Sequence, residues 1–236
     1  NAGELGVGSN SVLTVPQLVR QTAGRVTLDG GELAANGGVD LQGGVLAGAG
    51  TVRGDVTNGG ELRPGATTGQ PTGQLSIIGS YTQSAAGLLA FDLAGRTAGT
   101  SYDRLAVSGA VKLGDGIGAT GGTFLISLAA GFTPLAGDSF QVFTFGSRSG
   151  DFANYQGLSV GDRTSLKVNS HASDITLVGV TAGLRVEPFT ALTTSESGQT
   201  AQLSAWLASQ PTSTVTIALS TSVPTEGQIT PAQLTF

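Results

Sequence analysis

Glycine sets the limits on what this chain can become. Across residues 1–90 it separates a series of very short runs: Val12-Leu13-Thr14-Val15, Arg25-Val26-Thr27-Leu28, Gly38-Val39-Asp40-Leu41, Gly50-Thr51-Val52-Arg53 and Asp55-Val56-Thr57. Between them stand Gly30-Gly31, Gly37-Gly38, Gly43-Gly44 and Gly59-Gly60. Apolar residues recur two apart, the period of a strand. Glycine accounts for 38 of the 236 residues, and each one inside a helix costs about 1 kcal/mol. Long helices are therefore excluded. Hairpin sheets want longer strands than these. Turns this dense suit a β-solenoid, in which several short strands make one coil and each coil stacks on the last. No phenylalanine precedes Phe91, so the expected apolar column is narrow and built from Val, Leu and Ala.

The pattern changes twice. Residues 75–180 carry longer alternating runs, such as Leu88 to Leu93, Thr123 to Leu128, Phe140 to Phe145 and Asp174 to Val178. Phe124, Phe132, Phe140, Phe143, Phe145 and Phe152 gather there. Aromatic rings bury far more area than valine, so the core is expected to widen and close. Residues 181–236 are rich in Ser and Thr and punctuated by Pro188, Pro211, Pro224 and Pro231. Val215, Ile217 and Leu219 share one face of a half-buried strand, as in an antiparallel sandwich. The segment is short for a complete sandwich of about 100 residues.

Composition removes several functions. A net charge of −5 and a pI near 4.7 leave no basic surface for nucleic acid. Without cysteine there is no disulfide framework and no thiolate metal site. An apolar content of 39% and a mean hydropathy of +0.17 argue against disorder. The longest uncharged apolar run, Phe124 to Phe132, is far short of the ~20 residues that span a bilayer. With no initiating methionine or signal peptide, the chain reads as a processed protein or an excerpt from a longer one.

The run from Gly44 through Gly50-Thr51-Val52-Arg53-Gly54-Asp55-Val56-Thr57-Asn58-Gly59-Gly60-Glu61-Leu62-Arg63-Pro64-Gly65 resembles the strand repeats of bacterial autotransporter passengers. The likeness continues through Gly73-Gln74-Leu75-Ser76-Ile77, Tyr81-Thr82-Gln83, Tyr102-Asp103-Arg104-Leu105-Ala106-Val107 and Gly137-Asp138-Ser139-Phe140, covering residues 40–155. It implies a right-handed parallel β-helix in a secreted or surface-exposed bacterial protein, of a kind that commonly serves as adhesin or scaffold. Residues 184–236 resemble a Calx-beta-like or immunoglobulin-like extracellular repeat, through Leu192-Thr193-Thr194-Ser195-Glu196-Ser197-Gly198, Val215-Thr216-Ile217, Thr225-Glu226-Gly227 and Leu234-Thr235-Phe236.

Chemistry-bearing residues are sparse. Ser170, His171 and Asp174 include the residue types of a catalytic triad, but triad members converge through the fold, and these three sit together as a turn. A glycosidase or polysaccharide lyase on a β-helix would need two carboxylates about 5–10 Å apart. Asp92, Asp103, Asp138, Asp151 and Asp162 are the candidates, and each lies in or beside a Gly, Ser or Tyr turn, where aspartate is ordinary turn chemistry. Gly48-Ala49-Gly50-Thr51-Val52-Arg53-Gly54 misses the dinucleotide spacing, and Gly114-Asp115-Gly116-Ile117-Gly118 stands without a second copy as a calcium repeat.

The expected fold is all-β: a right-handed parallel β-helix over residues 1–90, its β-rich end or cap over 91–180, and a partial Ig-like β-sandwich over 181–236. The expected function is a structural or adhesive module of a bacterial cell-surface or secreted fibre, self-assembling by strand addition and not an enzyme. Its partners would be other copies, neighbouring repeats, a surface glycan or a host protein. A polysaccharide-active enzyme and a glycan- or calcium-binding adhesin are the alternatives. No catalytic, cofactor or metal residue is assigned. No cofactor is expected, with calcium at loop carboxylates such as Glu196 and Glu226 the single exception. The expected interaction residues are Trp206, which alternation puts on the outer face of its strand, and the final strand Gln233, Leu234, Thr235 and Phe236.

Overall fold

The computed structural model describes residues 3–65, 72–114, 121–129, 131–161, 164–181, 183–187, 192–195, 197–208, 211 and 213–236. Among them the chain is all-β, without a helix. It visits three columns in turn and then returns to the first. The first pass supplies β1 (Glu4–Gly8), β2 (Val12–Val15) and β3 (Val19–Gln21). In the second, β4 (Arg25–Ala35) covers both β1 and β2, and β5 (Val39–Leu41) covers β3. The third repeats this with β6 (Val45–Arg53) and β7 (Val56–Asn58). From the fourth pass each column has its own strand: β8 (Glu61–Pro64), β9 (Gln74–Ile78) and β10 (Tyr81–Gln83). The fifth comprises β11 (Leu88–Leu93), β12 (Arg104–Val107) and β13 (Ala110–Leu113). The sixth comprises β14 (Thr123–Leu128), β15 (Ser139–Thr144) and β16 (Ser147–Gly150). All of these strands pair in parallel with the pass before.

Register turns this pairing into side-chain ladders. Leu5, Val26, Leu46, Leu62, Leu89 and Phe124 lie one above another in the first column. Leu13, Leu33, Val52, Ile77 and Val107 do so in the second. Val19, Val39, Val56, Tyr81 and Val111 form the third. From the second pass onward these side chains are almost wholly buried. One corner recurs at each return to the first column: the opening N–H donates to a glycine carbonyl one pass back. The pairs are Arg25 to Gly3, Val45 to Gly24, Glu61 to Gly44, Leu88 to Gly60 and Thr123 to Gly87. Glycine is obligatory where passes touch backbone to backbone. Gly48 has φ +119°, and a side chain there would overlap the Leu28 carbonyl.

The parallel ladders run on past residue 90, so the expected change there is one of side-chain size, not of pairing. Phenylalanine simply replaces leucine in an existing ladder. The Phe124 ring lies 5.2 Å from Phe91, 5.2 Å from Phe152 and 5.5 Å from Tyr155. The stack closes after β17 (Asn154–Gln156), which pairs with β14. Strands β18 (Thr164–Ser170) and β19 (Asp174–Thr181) form a hairpin, and β19 lies antiparallel on β15.

Beyond it the pairing is sparse. Strand β20 (Leu184–Glu187) pairs with β21 (Ser204–Leu207), and β22 (Thr216–Ala218) with β23 (Gln233–Thr235). Where a partial sandwich was expected, the described residues form two separate two-stranded sheets. None of the described residues after Gly179 is buried.

Candidate functional site

The five expected interaction residues fall into two places. Trp206 lies on β21, 42% exposed, on the outer face that alternation assigned to it. Its cross-strand partner is Arg185 on β20. The exposed residues Leu184 and Leu203 lie on and beside these strands. Gln233, Leu234 and Thr235 form β23, paired with Ala218, Ile217 and Thr216. Phe236 extends this pair by exchanging backbone hydrogen bonds with Val215 at 2.9 and 3.0 Å. The second edge of β23 has no strand partner among the described residues. Trp206 and the final strand thus belong to different sheets.

Four of the five carboxylate candidates, Asp92, Asp103, Asp138 and Asp151, lie among the described residues and are each engaged, in ways the sequence did not reveal. Asp103 is buried, and its two oxygens accept the backbone N–H groups of Gly73 and Asp92, both at 2.8 Å. It ties the start of β9 to β11 across the loop that precedes β12. Burial pushes its pKa up to about 8, against the pull of those two amides. Asp92 receives Arg63 at 3.2 Å on both oxygens, and the same guanidinium donates to Glu61 at 2.9 Å. Burial would favour the neutral form of Arg63, but its two carboxylates outweigh that and raise its pKa.

Elsewhere, Asp138 takes a two-pronged bond from Arg96, both arms at 2.7 Å, and that hydrogen bonding holds its pKa below the ordinary value. Asp151 accepts from the Tyr155 hydroxyl at 2.5 Å and from Arg148 at 3.3 Å. Asp162 and Asp115 to Gly118 lie outside the described residues, as does Glu196. Among the described residues no group of three or more His, Asp or Glu side chains is arranged to hold a metal ion.

His171 and Asp174 meet in the β18–β19 turn, with Nδ1 2.8 Å from Asp174 Oδ1. Burial works against ionisation of Asp174, but hydrogen bonds from His171 and Thr176 win and lower its pKa. His171 is exposed, and the nitrogen that faces Asp174 is taken up by that contact. This is a turn clasp.

Two features escaped sequence reading. One is Arg63, which bridges passes to Asp92. The other is a buried polar network inside the third column. Asn58 Nδ2 donates to the Tyr81 hydroxyl, to Gln83 Oε1 and to the Leu88 carbonyl at 2.9–3.1 Å, and Tyr81 donates to Gln83 Oε1. Gln21 occupies the same ladder position and donates to the Gly24 and Val45 carbonyls. The available signal was a polar residue at an inward position before the corner in three passes, Gln21, Asn58 and Gln83, where Leu41 and Leu113 hold the same ladder position in the others. Gln21 and Asn58 satisfy backbone carbonyls at the corners, Gln83 Oε1 accepts within the network while its Nε2 is buried without a partner, and all three side chains are buried. Neither a family model nor a curated protein matches this chain.

Proposed function

We propose that this chain is a structural and adhesive module of an extracellular or bacterial cell-surface fibre, with residues 3–156 forming a parallel β-helix. The observation that carries the reading is the register of the three columns. The same inward positions recur over six passes in the first column and over five in the second and third, and the side chains there are buried from the second pass onward. Such a stack separates what is attached at its ends by a set distance. The resemblance of residues 40–155 to autotransporter passenger repeats supports the same reading. The C-terminal pairs, with Trp206 outward and β23 open on one edge, supply surfaces for contact with a glycan, a host protein or another copy. No helix among the described residues is long and apolar enough to cross a membrane.

The rival reading is a polysaccharide-active enzyme, and Arg63 among Glu61, Asp92 and Asp103 is the observation in its favour. Against it, both oxygens of Asp103 are spent on backbone amides and those of Asp92 on Arg63. The test is to incubate the protein with a panel of bacterial and host polysaccharides and, separately, with host cells. The expected result is retention on cells, weakened by Trp206→Ala, with no new reducing or unsaturated ends. Turnover that disappears in Asp92→Asn would overturn the proposal.

A further inference from the structure

Along the stack, arginines are matched to carboxylates. Arg20 pairs with Asp40, Arg53 with Glu32, Arg63 with Glu61 and Asp92, Arg96 with Asp138 and Arg148 with Asp151. Arg104, at the start of β12, differs. Its Nη2 donates to the amide oxygen of Gln141 at 3.1 Å, its Nε is buried without a partner, and no carboxylate among the described residues pairs with it. A guanidinium keeps its charge at any ordinary pH. One that is partly shielded from water and met only by a neutral acceptor is short of a counter-charge, and such a group in a native fold calls for an explanation.

The backbone that carries Arg104 is held firmly. Its N–H donates to the Gly73 carbonyl at 2.9 Å, and the neighbouring Asp103 is fixed by the amides of Gly73 and Asp92. Leu105 and Val107 point inward, so Arg104 and Ala106 point out. The outward positions around them are polar or short. Gln74 lies opposite Arg104 on β9, and Ser76 and Thr144 lie opposite Ala106 on either side. Beyond Thr144 stands Asp174, the sole carboxylate at the outward positions of β9, β12, β15 and β19, and it is occupied by His171 and Thr176.

We propose that this outward face, centred on Arg104, binds an acidic polysaccharide through the carboxylate of a uronic-acid unit. The proposal rests on the adhesive reading above and names a ligand for it, with the contact on the stack instead of on β21. A carboxylate supplies the charge that Arg104 lacks, and the planar guanidinium matches its shape. Nη1 is the donor that meets it: it makes no bond within the described chain and, unlike Nε, is not enclosed. The amide of Gln74 and the hydroxyls of Ser76 and Thr144 exchange hydrogen bonds with sugar hydroxyls, and the short side chain of Ala106 leaves room for a ring between them. Neighbouring strands are about 4.8 Å apart, so these groups follow one another along the stack, the direction in which an extended sugar chain would lie.

Affinity electrophoresis of the 236-residue chain through gels containing polygalacturonate, dextran or dextran sulfate tests this. The expected result is retardation by polygalacturonate and not by dextran. The dissociation constant should rise about tenfold or more in Arg104→Gln, and also in Arg104→Lys, which keeps the charge but not the fork. Gln74→Glu is a second variant that spares Arg104 itself. It gives the guanidinium a carboxylate from its own cross-strand neighbour, at an exposed position, and should abolish the retardation while the denaturation midpoint holds or rises. Polygalacturonate that fails to retard the wild type, or that retards Arg104→Gln and Gln74→Glu equally well, overturns the proposal. So does stronger retardation by dextran sulfate, since the face then answers to charge density alone. Retention on host cells is read separately. Where cells hold the wild type and polygalacturonate does not, this site falls and the adhesive reading stands; where polygalacturonate binds and cells do not, the site stands and the adhesive reading falls.

Discussion

The stack and the C-terminal segment use the same alphabet, yet the ladders of the stack are buried from the second pass onward and none of the described residues after Gly179 is. Val39 and Leu41 in β5 alternate no better than Val215, Ile217 and Leu219 around β22. The first pair is 3% and 0% exposed, whereas the second set is half-buried at best. Strand β5 has a parallel neighbour on each side, β3 and β7, and faces two other columns. Among the described residues, strand β22 pairs only with β23. A lone two-stranded pair is marginal in water, because half its backbone groups and all of one face remain solvated. Periodicity specifies which face is apolar; burial comes from the number of neighbours that face can reach.

The most forceful way to break this comparison is to cut into the stack. Phe124→Ala removes a ring packed on Phe91, Phe152 and Tyr155 and is expected to cost about 3–5 kcal/mol. Trp206, the sole tryptophan, lies outside the stack, so the two regions have separate probes. The far-ultraviolet circular-dichroism midpoint in denaturant should fall sharply, while the change in Trp206 fluorescence stays where it was. Coincident shifts in both signals would show that the regions unfold as one.

Asp103→Asn is expected to cost about 1–3 kcal/mol, because an amide retains one acceptor for the two N–H groups of Gly73 and Asp92. The wild type adds a pH signature. With the folded pKa of Asp103 raised to about 8, the folded state holds its proton where the unfolded chain has released it. The contribution is complete below about pH 4, the ordinary aspartate range, and is lost as pH rises through about 8. Denaturation midpoints should therefore decline over that window, and the decline should flatten in Asp103→Asn. A similar loss of about 1–3 kcal/mol is expected for Asn58→Ala, which strands the Leu88 carbonyl and the Gln83 side chain. At the small end, Ile217→Ala should move the stack transition by less than about 0.5 kcal/mol. A larger effect would mean that the final pairs brace the stack.

Much of the stack was legible. The glycine corners, the short alternating runs and the absence of phenylalanine before Phe91 together describe a narrow column of many passes, and the outward position of Trp206 followed from alternation alone. The resemblance over residues 40–155 already ran past residue 90; composition alone did not, because a ladder accepts Leu or Phe at the same step, and composition cannot distinguish a wider step from a new unit. Arg63 was missed because its partner Asp92 is close only through the pairing of β8 with β11. Asn58 and Gln83 were missed because polar residues before a glycine read as solvated turn. In the fold they point inward, where Asn58 bonds the Leu88 carbonyl and the Gly60 N–H, and Gln83 accepts from Asn58 and Tyr81.

By itself the sequence determined the local rules: strands instead of helices, where each strand must turn, and which face each one hides. Those follow from the conformational freedom of glycine and from a period of two, both properties of a few neighbouring residues. The tertiary structure decided which strands lie on which, and hence that Asp103 is buried and protonated at a pH where a solvated aspartate is charged. Pairing between successive passes joins residues distant in the chain, and the energy that selects it comes from filling one shared interior.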